Sequence, residues 1–201
     1  MARGRHAPPA LAAGLLVLTL LLGRSALLSP PVHADGHYAI VRLPVQSATA
    51  RANGQLEDFV LIWLNRTRAA EHLAPLSANA KIQSVARAYG LDMFAHGYLS
   101  HVSRDGRSLR DRLTSTGLLL RVVGENLAYA PAIQEAEQAL WQSAPHRRNI
   151  LYPAFRLVGI GVIDGGDEGV IVVQDFSDDP AADAAAGRLP VAPSLMQSAV
   201  R

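Results

Sequence analysis

The sequence predicts an α+β domain in which helices cover an antiparallel sheet. Two long segments of the first half carry apolar residues at helical spacing. The last third holds two runs rich in β-branched residues, Leu157–Ile163 and Val170–Phe176, separated by Asp164-Gly165-Gly166-Asp167-Glu168-Gly169. That combination is the signature of a β-hairpin. Shorter extended segments lie between the helices and the hairpin, where they can join the same sheet.

Each element follows from local chemistry. Leu56, Phe59, Val60 and Trp63 place a first helix over Gln55–His72, and Pro75 prevents its continuation. Ser77 or Asn79 can cap a second helix, with an apolar face of Ile82, Val85, Ala86, Tyr89 and Met93 and an end at Gly97. Ser103-Arg104-Asp105-Gly106 is turn chemistry, leading into a short helix over Ser108–Thr116. Leu118–Val123 and Asn126–Ala130 read as extended pieces around Gly124-Glu125, and Tyr38–Val41 as a further short strand. Pro131 opens a helix whose face is Ile133, Ala136, Leu140 and Trp141.

The two ends are of different material. Arg3 and Arg5 precede an unbroken apolar run of 12 residues, Leu11–Leu22, and Val32-His33-Ala34 offers small residues for cleavage before Asp35. A span needs about 20 apolar residues, so residues 1–34 read as a cleavable signal peptide, with an uncleaved membrane anchor as the alternative. Residues 35–52 read as a linker, 53–178 as the single folded domain, and 179–201 as a disordered Ala/Pro-rich tail. Loss of the leader removes three Arg and no acid, leaving 16 basic and 17 acidic residues. A nucleic-acid partner is therefore not expected, and a membrane is expected only through an uncleaved leader. The chain has no Cys, which excludes thiol nucleophiles, Cys-type zinc sites and iron–sulfur clusters. The domain must stand on its hydrophobic core, and one of about 125–150 residues buries roughly two-thirds of its unfolded surface. It is expected to be monomeric.

Three polar residues sit where no solvated face is evident: His101 in YLSHVS, Glu125 in GENLAYA, and His146 in WQSAPHRRNIL. With LNRTRAAEHLAPL, VARAYGLDM and FRLVGIGV, these form six motifs in a fixed order over residues 56–177. In them the chain resembles the CAP superfamily of cysteine-rich secretory proteins, antigen 5 and plant pathogenesis-related proteins, and within it the disulfide-free bacterial branch. The resemblance implies a three-layer α–β–α sandwich with a central antiparallel sheet and an open cleft. It also implies a His, Glu, Glu, His tetrad whose two His can bind a divalent metal such as zinc. His101, Glu125 and His146 match three members. The second Glu would follow Trp141 by three residues, where this chain has Ala144, and nothing in the motif lets Glu137 replace it.

Two neutral imidazoles make good zinc or copper ligands, and Glu125 is a candidate general base for a metal-activated water. The plainer readings are cleft histidines that fix a loop and a carboxylate that ties down backbone N–H groups. Other motifs carry nothing: Gly159-Ile160-Gly161 lacks the third Gly of a dinucleotide fingerprint, and Ser100 and Ser103 lie in no nucleophile elbow. The expected function is a secreted, extracellular binding or interaction module. Its cleft would take a divalent metal and a small-molecule, lipid-like or cell-envelope ligand. A metal-dependent hydrolase, peptidase or esterase, is the alternative.

Overall fold

The computed structural model describes residues 40–44 and 47–181. The expected leader, residues 1–34, lies outside them, as does the tail from residue 182 onward.

Helix α1 (Gly54–Ala70) starts at Asn53, whose side-chain oxygen accepts from the Leu56 N–H at 3.2 Å. Helix α2 (Ala80–His96) is capped by Asn79, not Ser77, and ends at Gly97 in the left-handed conformation, with φ 63°. Helix α3 (Leu109–Thr114) begins with a reciprocal Ser108–Asp111 capping box. The sheet is built from β2 (Arg51–Ala52), β3 (Ser77–Ala78), β5 (Val123–Ala130), β6 (Leu157–Asp164) and β7 (Val170–Ser177). Its order is β2-β6-β7-β5, antiparallel throughout, with β3 joining β6 in parallel. Strand β1 (Val41–Arg42) pairs separately with β4 (Tyr98–Leu99), so part of the stretch expected as a linker docks on the domain.

Strand alternation sorts the core into two layers, one on each side of the sheet. Val158, Ile160, Val162, Val172 and Phe176 point toward α1, α4 (Ile133–Gln142) and α5 (Ala144–Ile150). Leu127, Ile163, Ile171 and Val173 point the other way, toward Ala86, Tyr89 and Met93 of α2. The result is the three-layer α–β–α sandwich with a central antiparallel sheet. Gly159 and Gly161 explain the GIG repeat. A Cβ on Gly159 would lie 2.3 Å from the Ile82 backbone, and one on Gly161 2.7 Å from that of Ala86. Helix α2 lies directly on these two positions.

Two expectations are corrected. Gly124-Glu125 does not separate two extended pieces but lies inside β5, where Gly124 pairs with Phe176 and Glu125 with Asp175. Gly124 leaves room for the Phe155 ring, which a Cβ would approach to 2.8 Å. Residues 118–122 form no strand. Their backbone is held by side chains instead: Arg110 donates to the carbonyls of Leu120 and Arg121, and Asp178 accepts from the N–H groups of Arg121 and Val122. Helix α5 carries no apolar periodicity that would reveal it. Its core contact is Ile150, and it is anchored by Asn149.

Candidate functional site

Strand β5 is an outer strand of the sheet, and the site forms around its Glu125. Glu125 points to the α2 side, where its Oε1 accepts from His101 Nδ1 at 2.8 Å. Its Oε2 accepts from Arg112 Nη2 on α3. His146 comes from the opposite layer, on α5. That helix is held to β5 by Asn149, which donates to the Glu125 carbonyl at 3.2 Å and to Asn126 Oδ1 at 3.0 Å. Asn126 in turn donates to the His146 carbonyl at 3.2 Å and to Gln174 Oε1 at 3.0 Å. The two histidines thus approach one strand from its two faces, close enough for charge on His101 to bear on His146.

Burial sets the protonation of these groups. His146 is 6% exposed. Burial, and then the neighbouring His101, hold its pKa down to about 4, so it is neutral at pH 7. Its Nδ1 is buried without a hydrogen-bond partner among the described residues. An Nδ1 proton on His101 shared with Glu125 places the lone pair of that ring on Nε2. Burial works against the charge on Arg112, but the Glu125 and Asp175 carboxyl groups outweigh it and raise its pKa. The guanidinium also lies 3.6 Å from the Tyr89 ring centroid and donates to the carbonyls of His101, at 3.3 Å, and Arg107, at 3.1 Å.

Asp175 stands directly across the ladder from Glu125. It is fully buried, and neither of its oxygens meets a donor among the described residues. Burial first and the Glu125 charge second push its pKa well above the ordinary carboxylate range. In the protonated form Asp175 becomes a donor, and the Glu125 carboxyl faces it.

Of the residues singled out from sequence, His101 and Glu125 are in direct contact and His146 lies at the same strand. Ala144 contributes no carboxylate. Glu137 is on the other side of the sheet, where both its oxygens accept from Gln174 Nε2 at 3.0 Å. Sequence reasoning missed Arg112 and Asp175. A charged residue on a short helix gives no signal, but Asp175 did offer one: a carboxylate between Gln174 and Phe176 at the end of the apolar Val170–Val173 run. Trp63 and Trp141, on the apolar faces of their helices, form a half-buried edge-to-face pair with centroids 6.2 Å apart.

Fold and site together define a disulfide-free domain of the cysteine-rich secretory type. Residues 61–176 match the model of the Cysteine-rich secretory protein family, CAP, and the chain belongs to that family. It is 32% identical over 111 residues to "Uncharacterized protein YkwD" of Bacillus subtilis (strain 168), covering 55% of this chain and 43% of that protein. It is 33% identical over 107 residues to "Uncharacterized membrane protein YlbC" of the same organism, covering 53% and 31%. The chain therefore spans less than half the length of these curated relatives. Among solved structures, an extracellular protein containing a SCP domain from Bacillus anthracis str. Ames superposes with a TM-score of 0.58 at 26% identity, over 63% of this chain and 41% of that one. An outer surface protein from Borrelia burgdorferi shares the fold, with a TM-score of 0.61 at 15% identity over 65% and 99%. Among the described residues no helix is long and apolar enough to cross a membrane.

Proposed function

We propose that this protein is an exported binding module whose cleft holds a divalent metal, zinc by the chemistry of its donors, between His101 and His146. The observation that carries this reading is the Glu125–His101 contact. A metal-binding histidine typically gives its second ring N–H to a carboxylate, which fixes the tautomer and raises the basicity of the other nitrogen. His146 fits as well, because it is already neutral and its buried Nδ1 has no partner among the described residues. Among the described residues no three His, Cys, Asp or Glu side chains group as a metal cage, so water or a bound ligand completes the shell. The ion would supply Lewis acidity toward an oxygen of that ligand.

Glu125 acts here as an orienting group. One oxygen is on His101 and the other in the ion pair with Arg112, an arrangement that holds the carboxylate in place as a positioning group. This favours binding over the metal-dependent hydrolase. Export is supported by the leader sequence and by the extracellular SCP-domain protein with which the fold superposes at 26% identity. The ligand at the open face is a small lipid-like or cell-envelope molecule, to be identified by mass spectrometry of the purified protein's extract.

Calorimetric titration with zinc tests the metal. One-to-one binding is expected, abolished in His101→Ala and His146→Ala and weakened about 10–100-fold in Glu125→Gln. No binding by the wild type, or equal binding by the folded histidine variants, overturns the reading.

A further inference from the structure

A concavity of about 430 Å³ lies between α2, the 103–107 turn and α3, and His101, Glu125 and His146 are not among its lining residues. That volume is in the range of small-molecule sites. Val85, Ala88 and Tyr89 give it an apolar and aromatic wall, being neighbours on one face of α2. Asp92, one turn further along, and Arg104 on the turn supply charge.

The charges around this hollow do not all cancel internally. Arg107 is paired with Asp105 at 2.7 Å, and Arg112 with Glu125. Asp92 takes the neutral Tyr98 hydroxyl at 2.5 Å and the exposed His96 one turn on; no lysine or arginine pairs with it among the described residues. Arg104 is exposed and makes no ion pair among the described residues. One guanidinium, and one carboxylate met by a hydroxyl and a histidine but by no lysine or arginine among the described residues, therefore line the same cavity, with apolar surface beside them. The Tyr98 hydroxyl fixes the Asp92 carboxylate, so the anionic pole is preorganised, which lowers the ordering cost of binding. The cationic pole is a guanidinium, whose planar fork matches a carboxylate.

We propose that this cavity is a binding site for a zwitterionic ligand of amino-acid or dipeptide size, with its ammonium on Asp92, its carboxylate on Arg104, and its side chain against Val85, Ala88 and Tyr89. The site is separate from the metal cleft, although Arg112 lines it and also holds Glu125.

The test is an amide-resolved NMR titration of the protein with alanyl-alanine and with two blocked forms, N-acetyl-alanyl-alanine and alanyl-alanine amide. Saturable shifts at Ala88, Asp92 and Arg104 are expected for the zwitterion, with at least tenfold weaker binding for each blocked form. In Asp92→Asn, which keeps an acceptor for Tyr98, the zwitterion should bind no better than N-acetyl-alanyl-alanine. In Arg104→Gln it should bind no better than the amide. Absence of saturable shifts at these residues overturns the proposal, as does equal binding of all three peptides. Such a result leaves zinc binding by the histidines standing.

Discussion

Replacing Arg112 with Met should destabilise the protein by about 3–5 kcal/mol, the cost of removing one partner from a buried ion pair. The size follows from what remains. Arg112 is 5% exposed and Glu125 8%, and Asp175 beside them is fully buried. Without the guanidinium, Glu125 keeps His101 but loses the charge that balances it, and two carboxyl groups face each other in a water-poor place. The stacking on Tyr89 goes as well, and a desolvated cation–π contact is itself worth about 2 kcal/mol, not fully additive with the pair. Against a domain stability of about 5–15 kcal/mol, the loss would be plain. Urea unfolding at pH 7 is the assay, with the slope checked for constancy so that midpoints report stability. Glu125→Gln should recover part of the loss in the Arg112→Met background, because it removes the stranded charge. The double variant should be more stable than the sum of single effects by at least about 1 kcal/mol. Additivity within about 0.5 kcal/mol, or a single-variant loss below about 1 kcal/mol, would refute the reasoning.

Further consequences follow from the buried groups. His146 has its folded pKa lowered from 6.5 to about 4, so between these values the unfolded chain binds more protons and stability falls as pH falls. The loss is on the order of 3 kcal/mol, and His146→Gln should flatten the unfolding midpoint across this window. Glu137 behaves in the opposite sense: burial lifts its pKa from 4.5 to about 8, so stability falls as pH rises through that range. Glu137→Gln should remove a penalty on the order of 3 kcal/mol at pH 7, giving a variant whose midpoint drops less between pH 5 and pH 8. Arg68 is fully buried and donates to the carbonyls of Ala74, Ile150, Tyr152 and Phe155. Arg68→Met should cost at least about 3 kcal/mol, read by thermal unfolding, because the carbonyls of Ala74, Ile150 and Tyr152 lose their charged donor, while that of Phe155 keeps Arg156 Nη1 at 3.0 Å. Gly161→Ala should lower stability by about 1–3 kcal/mol through its contact with the α2 backbone, and an unchanged melting temperature would contradict the packing described.

Much of the fold was legible in the chain because its causes are local. Asn53, Asn79 and the Ser108–Asp111 pair cap helices through N–H groups two or three residues away. The Gly-rich hexapeptide between Leu157–Ile163 and Val170–Phe176 makes a hairpin from neighbours in sequence. The run at residues 118–123 misled for the same reason. Leu118, Leu119 and Leu120 look like a strand, yet Leu119 is 86% exposed and the backbone partners are Arg110 and Asp178. No local pattern encodes a carboxylate arriving from 56 residues away in sequence.

By itself, the sequence determined helices α1 to α4, the Asn79 cap, the hairpin, and the order of motifs that marks the family, whereas α5 and the two glycines on which α2 rests came from the structure. It also named His101, Glu125 and His146, though only as residues in three separated motifs. The tertiary structure decided what they do together. Register placed Glu125 opposite Asp175, docking of α3 gave Glu125 its Arg112, and Asn149 brought α5 and His146 to the same strand. Helix spacing and strand alternation repeat over a few residues and so are written locally. A site is a meeting of side chains from different layers, and its protonation depends on the burial that only the assembled layers create.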